Sequence, residues 1–189
     1  LTFVPLIALL SVLPIQGDTS CQDNITTLSI TLQEINVFDV GNDGRLAVGN
    51  RNKLYIVNYI TLEIESQLTL QENSFIQAVK FAPKSNRFSL FYSRRSEESD
   101  LADTYVEVRD TIEQSVFVEI KLSQQNSPIP TLTWSPDGNY IALAGDFTDI
   151  DGESVRIWNI LTRDELLSYE GRFVHRSHTQ LADWSPDSK

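Results

Sequence analysis

Trp134-Ser135-Pro136-Asp137-Gly138 returns 50 residues later as Trp184-Ser185-Pro186-Asp187-Ser188, and a looser copy, Phe81-Ala82-Pro83-Lys84-Ser85, stands 53 residues earlier. A second landmark keeps the same beat. Val155-Arg156-Ile157-Trp158-Asn159 corresponds to Val106-Glu107-Val108-Arg109-Asp110 and to Leu54-Tyr55-Ile56-Val57-Asn58, with the closing Asn or Asp residues 52 and 49 apart. Two landmarks that share a period of about 50 residues mark an internal repeat.

One unit is readable from its residues. Ile76 and Val79 lead into Phe81, and Ile129 and Leu132 lead into Trp134. That alternation is a strand with one buried face. A turn follows: Pro136 fixes φ, Asp137 bonds its local backbone, and Gly138 tolerates positive φ. Tyr140 to Ala144 reads as a second strand, Ser154 to Asn159 as a third and Glu165 to Tyr169 as a fourth. Four short strands make one antiparallel sheet, which cannot bury both faces alone. Copies packed face to face around an axis make a β-propeller. The expected fold is therefore all-β: a propeller of four-stranded antiparallel blades over residues 35–189. Blades are expected at about 35–70, 75–122 and 129–170, with the first strand of a fourth in 175–189. Propellers close with four or more blades, so an incomplete ring and an N-terminal fragment of a larger propeller are expected.

These motifs resemble the WD40 repeat family. The residues that carry the likeness are Trp134 to Gly138, Val155 to Asn159, and Leu161-Thr162-Arg163-Asp164-Glu165-Leu166-Leu167. His175, nine residues before Trp184, stands where that family carries the His of its Gly-His pair, although Val174 precedes it. Asn159 replaces the name-giving Asp, and Gln125 stands nine residues before Trp134. The resemblance implies an Asp–His–Ser/Thr–Trp hydrogen-bond network, which is incomplete in the third blade. TolB-like propellers share the Trp-Ser-Pro-Asp-Gly turn and are the second choice.

The N-terminal stretch is different in kind. Residues 1–17, LTFVPLIALLSVLPIQG, carry no charge and are mostly apolar. The run is short for a membrane span of about 20 residues and matches the apolar core of a secretory signal, with cleavage expected after Gly17. A buried strand or helix is the alternative. The chain holds no Met and opens on Leu1, so the start is expected to be cut within that signal. Residues 18–34 read as a linker or closing strand. Cys21 is the only cysteine, so an intrachain disulfide and a cysteine zinc site are both excluded. Asp18 is wrong for a lipoprotein signal, and Asn24-Ile25-Thr26 is a glycosylation sequon.

Composition narrows the functions. Lys plus Arg is 15 against 26 Asp plus Glu, a net charge of −11. Phosphate-backbone binding runs on Lys and Arg, so a nucleic-acid role is not expected. Hydrophobic content of 41% and charged content of 22% fit a folded domain.

In the WD40 pattern the loops joining second to third strands share one face. The second blade's loop, Ser93 to Asp103, carries Arg94 and Arg95 and then Glu97, Glu98, Asp100 and Asp103. The third blade's, Gly145 to Glu153, carries Asp146, Asp149, Asp151 and Glu153. Loops on a rigid scaffold are where binding concentrates, so Arg94, Arg95, Asp146, Asp149 and Asp151 are candidate partner-binding residues. A solvated charge run is the plainer reading. An EF-hand would need an acidic residue at Phe147 and Glu at Trp158. His175 and His178 lack further metal ligands. Phe81, Trp134, Asp137, Gly138, Trp158, Asn159, His175, Trp184 and Asp187 read as structural repeat residues, the tryptophans as core between blades.

No nucleophile elbow, phosphate loop or dinucleotide fingerprint occurs. No catalytic residue, cofactor or metal is expected within the chain. The expected function is a noncatalytic scaffold binding protein or peptide partners, extracytoplasmic, and touching a membrane only through residues 1–17 if uncleaved. The alternative is the propeller of an exported peptidase-like enzyme, or a TolB-like periplasmic protein.

Overall fold

A computed structural model describes residues 8–11, 27–30, 35–95, 102–122, 131–146, 153–170 and 182–187. Strands β1 (Ala8–Ser11) and β2 (Thr27–Ile30) form an antiparallel pair. Three four-stranded antiparallel sheets follow, each meandering in sequence order. Blade 1 holds β3 (Val37–Val40), β4 (Arg45–Asn50), β5 (Lys53–Asn58) and β6 (Glu63–Thr69). Blade 2 holds β7 (Ser74–Phe81), β8 (Arg87–Arg95), β9 (Ala102–Asp110) and β10 (Val116–Leu122). Blade 3 holds β11 (Thr131–Trp134), β12 (Tyr140–Asp146), β13 (Glu153–Asn159) and β14 (Glu165–Glu170). The first strands β3 and β11 both lie against β7, which places first strands innermost. The blades are open sheets of a β-propeller, as the repeat implied, and the described residues contain no helix.

The repeat sets the turns. Between third and fourth strands, Asn58, Asp110 and Asn159 each accept two backbone N–H bonds on Oδ1. The donors are Ile60 and Thr61, Ile112 and Glu113, and Leu161 and Thr162, at 2.8–3.1 Å. Four residues after each acceptor the chain enters positive φ, at Leu62, Gln114 and Arg163. Asn159 therefore does the work of an Asp here, because the turn needs only a side-chain oxygen acceptor. The backbone N–H groups of Tyr59, Thr111 and Ile160 bond the carbonyls of Gly44, Asn86 and Asn139, tying each such turn to the first turn of its own blade.

The Trp-Ser-Pro-Asp-Gly segment both makes a turn and joins blades. Ser135 Oγ donates to Asp137 at 2.5 Å and accepts from Tyr140 N–H at 3.0 Å. Gly138 has φ +75°, and a Cβ there would stand 2.5 Å from the Pro83 carbonyl oxygen of the preceding blade. Only glycine fits both demands. The Trp134 indole donates to the Lys80 carbonyl at 3.2 Å and to Ser89 Oγ at 2.8 Å. Trp184 repeats the gesture one blade on, toward the Thr133 carbonyl at 3.5 Å, and stacks on Tyr140 with ring centres 6.1 Å apart. Lys80 and Thr133 each stand immediately before a landmark aromatic. Ala182 to Ser185 carry no strand, because a strand exists by pairing and none of the described strands pairs with them. His175 lies outside the described residues.

Two apolar clusters join the blades. Val37, Ala47, Leu54 and Ile56 of blade 1 meet Ile76, Val79, Phe88, Leu90, Tyr92 and Tyr105 of blade 2. The opposite face of blade 2, through Phe91, Val106, Val108, Val118 and Leu122, meets Leu132, Trp134, Ile141, Leu143, Trp158 and Ile160. Each fully buried large side chain contributes about 1.5–3 kcal/mol, so both interfaces are folded cores and not surface contacts.

Candidate functional site

The long strands β8 and β9 run to Arg95 and from Ala102, and carry a polar and aromatic ladder toward the end of blade 2 that the intervening loop joins. Tyr92 pairs across the strands with Tyr105, and Leu90 with Glu107. Residues two apart share a face, so Tyr92, Arg94, Asp103, Tyr105, Glu107 and Arg109 lie on one side, facing blade 1. The Tyr92 and Tyr105 rings stack at 5.2 Å and 15°.

Glu107 is buried, with a side chain 4% exposed. Its two oxygens are both used: Oε1 accepts from Tyr92 OH at 2.7 Å, and Oε2 accepts from Arg109 Nε at 2.5 Å. Arg109 also donates to the Gln114 carbonyl at 2.6 Å. A buried carboxylate is tolerable because it is both paired and hydrogen-bonded. Arg94 closes the upper end. Its Nη2 donates to Tyr92 OH at 3.1 Å and its guanidinium lies 4.5 Å from the Tyr105 ring centre. Beside it, Asp103 accepts from Lys121 Nζ at 3.0 Å and from Tyr105 OH at 3.4 Å.

The ladder holds its protons. Burial pushes the Tyr92 phenol well above the usual tyrosine range, reinforced by the hydrogen bond to Glu107 and its negative charge, against a smaller opposing pull from Arg94. For Arg94, burial acts to lower the guanidinium; the Tyr92 hydrogen bond and the nearby Tyr92, Tyr105 and Glu107 outweigh it and leave it raised. The Asp103 hydrogen bond raises Lys121. What the cluster offers is a fixed cation edge with aromatic faces, suited to binding by hydrogen bonds and cation–π contact.

Arg94 and Arg95 therefore end β8 and are not free loop residues. The Asn73 side chain donates to the Arg95 carbonyl at 2.7 Å and Arg95 N–H bonds the Asn73 carbonyl at 3.1 Å. Asp146 ends β12; Asp149 and Asp151 lie outside the described residues, as do Glu97, Glu98 and Asp100. Among the described residues no group of three or more His, Cys, Asp or Glu converges as a metal site. Sequence reasoning passed over Tyr92, Tyr105, Glu107, Arg109 and Lys121. No sequence signal marks the cluster: Glu107 between Val106 and Val108 reads as the solvent-facing position of an alternating strand, and only the packing against blade 1 buries it.

Sheets, meander order and joined inner strands define the chain as a β-propeller protein. The family model "Eukaryotic translation initiation factor eIF2A" matches residues 31–189, and the chain belongs to that family. Among solved structures it is similar to the β-propeller domain of the Trilobed protease from Pyrococcus furiosus, described as revealing an open velcro topology. That likeness has a TM-score of 0.52 at 16% identity and covers 74% of this chain. The chain spans 43% of the length of that structure. No curated protein matches.

Proposed function

We propose that the chain is a noncatalytic, WD40-type scaffold that binds protein or peptide partners on the blade face bearing the β8–β9 and β12–β13 connections. The observation that carries this reading is the buried Tyr92–Glu107–Arg109 ladder, which holds Arg94 through the Tyr92 hydroxyl at the strand ends that flank residues 96–101. A rigid frame beside a charged segment lowers the ordering cost of binding. The Asn or Asp acceptors in all three last turns support the WD40-type assignment over the TolB-like one. The translation-initiation name belongs to the family.

The uncharged run of residues 1–17 supports an exported or membrane-tethered location. The second reading, the propeller of an exported peptidase-like enzyme, draws on the exported TolB-like turn motif. Its test is peptide hydrolysis by the full-length protein.

The binding reading is tested by capture from matched extracts with the wild-type chain, with Arg95→Glu, and with residues 96–101 replaced by Gly and Ser. The expected result is loss of specific partners in both variants with unchanged thermal melting. An identical captured set in all three would overturn the placement. Export is tested separately by fusing residues 1–20 to a reporter; retention of the reporter inside the cell counts against it.

A further inference from the structure

The rim grooves between blades 1 and 2 and between blades 2 and 3 are built from equivalent positions and end differently. In the first groove Arg45 of β4 pairs with Glu65 of β6 at 2.9 Å and with Asp43 at 2.9 Å. Ser66 of β6 donates to the Thr111 carbonyl at 2.6 Å and accepts from Gln114 Nε2 at 2.8 Å. The outer strand of blade 1 is thereby sewn to the last turn of blade 2.

The repeat maps these residues one blade on. Arg45 and Arg87 pair with Asn58 and Asp110, so they are equivalent; by the same registers Glu65 maps to Phe117, Ser66 to Val118 and Gln114 to Arg163. Among the described residues every stitch is gone. Phe117 replaces the carboxylate, and the two guanidiniums gather on its ring, Arg87 at 3.8 Å and Arg163 at 5.4 Å from its centre. Among the described residues neither arginine pairs with a carboxylate. In place of the seam lies a cleft of about 570 Å³, lined by Val116 to Ile120 on one side and by Trp158, Arg163 and Glu165 on the other. Five consecutive residues of one strand point to both of its faces, so the cleft follows the edge of β10 as well as its side. Among the described residues that edge is open, because β10 pairs there with β9 alone.

We propose that this groove is a docking site for an extended acidic peptide segment, which adds along the β10 edge and places a carboxylate against Arg163, beside the Phe117 ring that stands where the neighbouring groove has Glu65. The charge argument selects the occupant. Two guanidiniums without an internal carboxylate, in a chain of net charge −11, ask for an acidic group from outside. The open ladder edge asks for an extended backbone. Glu119 and Glu165 on the lining disfavour a second acidic residue further along the strand. This groove lies at the end of blade 2 opposite the β8–β9 connection, so its test is independent of the face proposed above.

The probe is a blocked, fluorescently labelled five-residue peptide of alternating threonine and valine with a central aspartate, followed by anisotropy against the full chain. Controls are its asparagine analogue, a backbone N-methylated version, and sodium acetate or inorganic phosphate as competitors. Saturable binding of the aspartate peptide is expected. The asparagine and N-methylated versions are expected to bind about three- to tenfold more weakly. Arg163→Gln, which restores the residue found at the sealed groove, should weaken binding by a similar factor. Phe117→Glu should abolish it by supplying the missing carboxylate from within, with far-UV circular dichroism unchanged. Equal binding of aspartate and asparagine peptides, or undiminished binding by Phe117→Glu, overturns the carboxylate seat. Full displacement by acetate or phosphate alone, or no binding of the aspartate peptide at all, overturns the peptide site.

Discussion

The two interfaces flanking blade 2 both hold an apolar core and differ in the polar bonds added to it, although one repeat builds both. Against blade 1 the contact is laced with polar bonds. Asp39 accepts from Phe81 N–H at 2.7 Å and from Lys80 Nζ at 2.9 Å, the Asn36 amide donates to the Ile76 carbonyl at 2.5 Å, and Arg45 reaches Thr111 at 3.0 Å. The buried Glu107 ladder lies on the same face. Against blade 3 the contact is an apolar cluster with the Trp134 indole bond to Ser89 at its centre. Polar lacing fixes register at a desolvation cost, whereas apolar burial supplies stability with little directional demand. The laced interface seals its rim, and the apolar one leaves a cleft.

The strongest way to break this contrast is to empty the apolar interface. Trp134→Ala removes a side chain 7% exposed that both fills the cluster and donates to Ser89. A loss of about 4 kcal/mol is expected, read as a large drop in urea midpoint. Trp134→Phe keeps most of the burial and should cost about 1 kcal/mol, the share of the hydrogen bond. Similar losses for both substitutions would mean that the indole bond, not apolar burial, holds blades 2 and 3.

At the laced interface the matching change is Glu107→Ala. It strands Arg109 and the Tyr92 hydroxyl in a buried setting, and a loss of about 3 kcal/mol is expected. A pH profile sharpens it. The Tyr92 phenol is raised in the folded state, so its contribution is fully present below the unfolded tyrosine value of about 10 and is lost as pH rises. The alkaline limb of the stability curve should be shallower in Tyr92→Phe. An unchanged alkaline limb would show that burial and the Glu107 bond do not hold the phenol protonated.

The contrast also explains what the sequence could disclose. The four-strand meander and the turn chemistry were legible because they rest on local signals: Pro136 and Gly138 have fixed backbone preferences, and Asn58, Asp110 and Asn159 recur at the same offset. The polar ladder was not legible. Tyr92, Glu107 and Arg109 are brought together by the β8–β9 register and by burial against blade 1, and neither is visible in composition. Arg94 looked like a loop cation because the loop's charge run begins beside it, whereas the strand continues through Arg95. The open groove was hidden for a similar reason. Glu65 and Phe117 become comparable only after the bulges in β6 and β10 are placed.

The smallest expected effect tests whether the Asp turn belongs to the contrast at all. The Ser135 hydroxyl, and then the Asn139 N–H, donate to Asp137 and hold its carboxyl below the usual carboxylate range. A depressed carboxyl stabilises the fold above its unfolded value of about 3.9, and that contribution is lost as pH falls through the folded value. Asp137 is exposed, so Asp137→Asn should cost at most about 1 kcal/mol at neutral pH, and the difference from wild type should vanish in acid. Lys84 holds the same position in blade 2, so that turn has no carboxylate of its own to protonate. Hydrogen exchange resolved by blade should therefore find acid sensitivity at the first turn of blade 3 and none at that of blade 2. Equal sensitivity at both turns would trace it to the shared backbone geometry and not to Asp137.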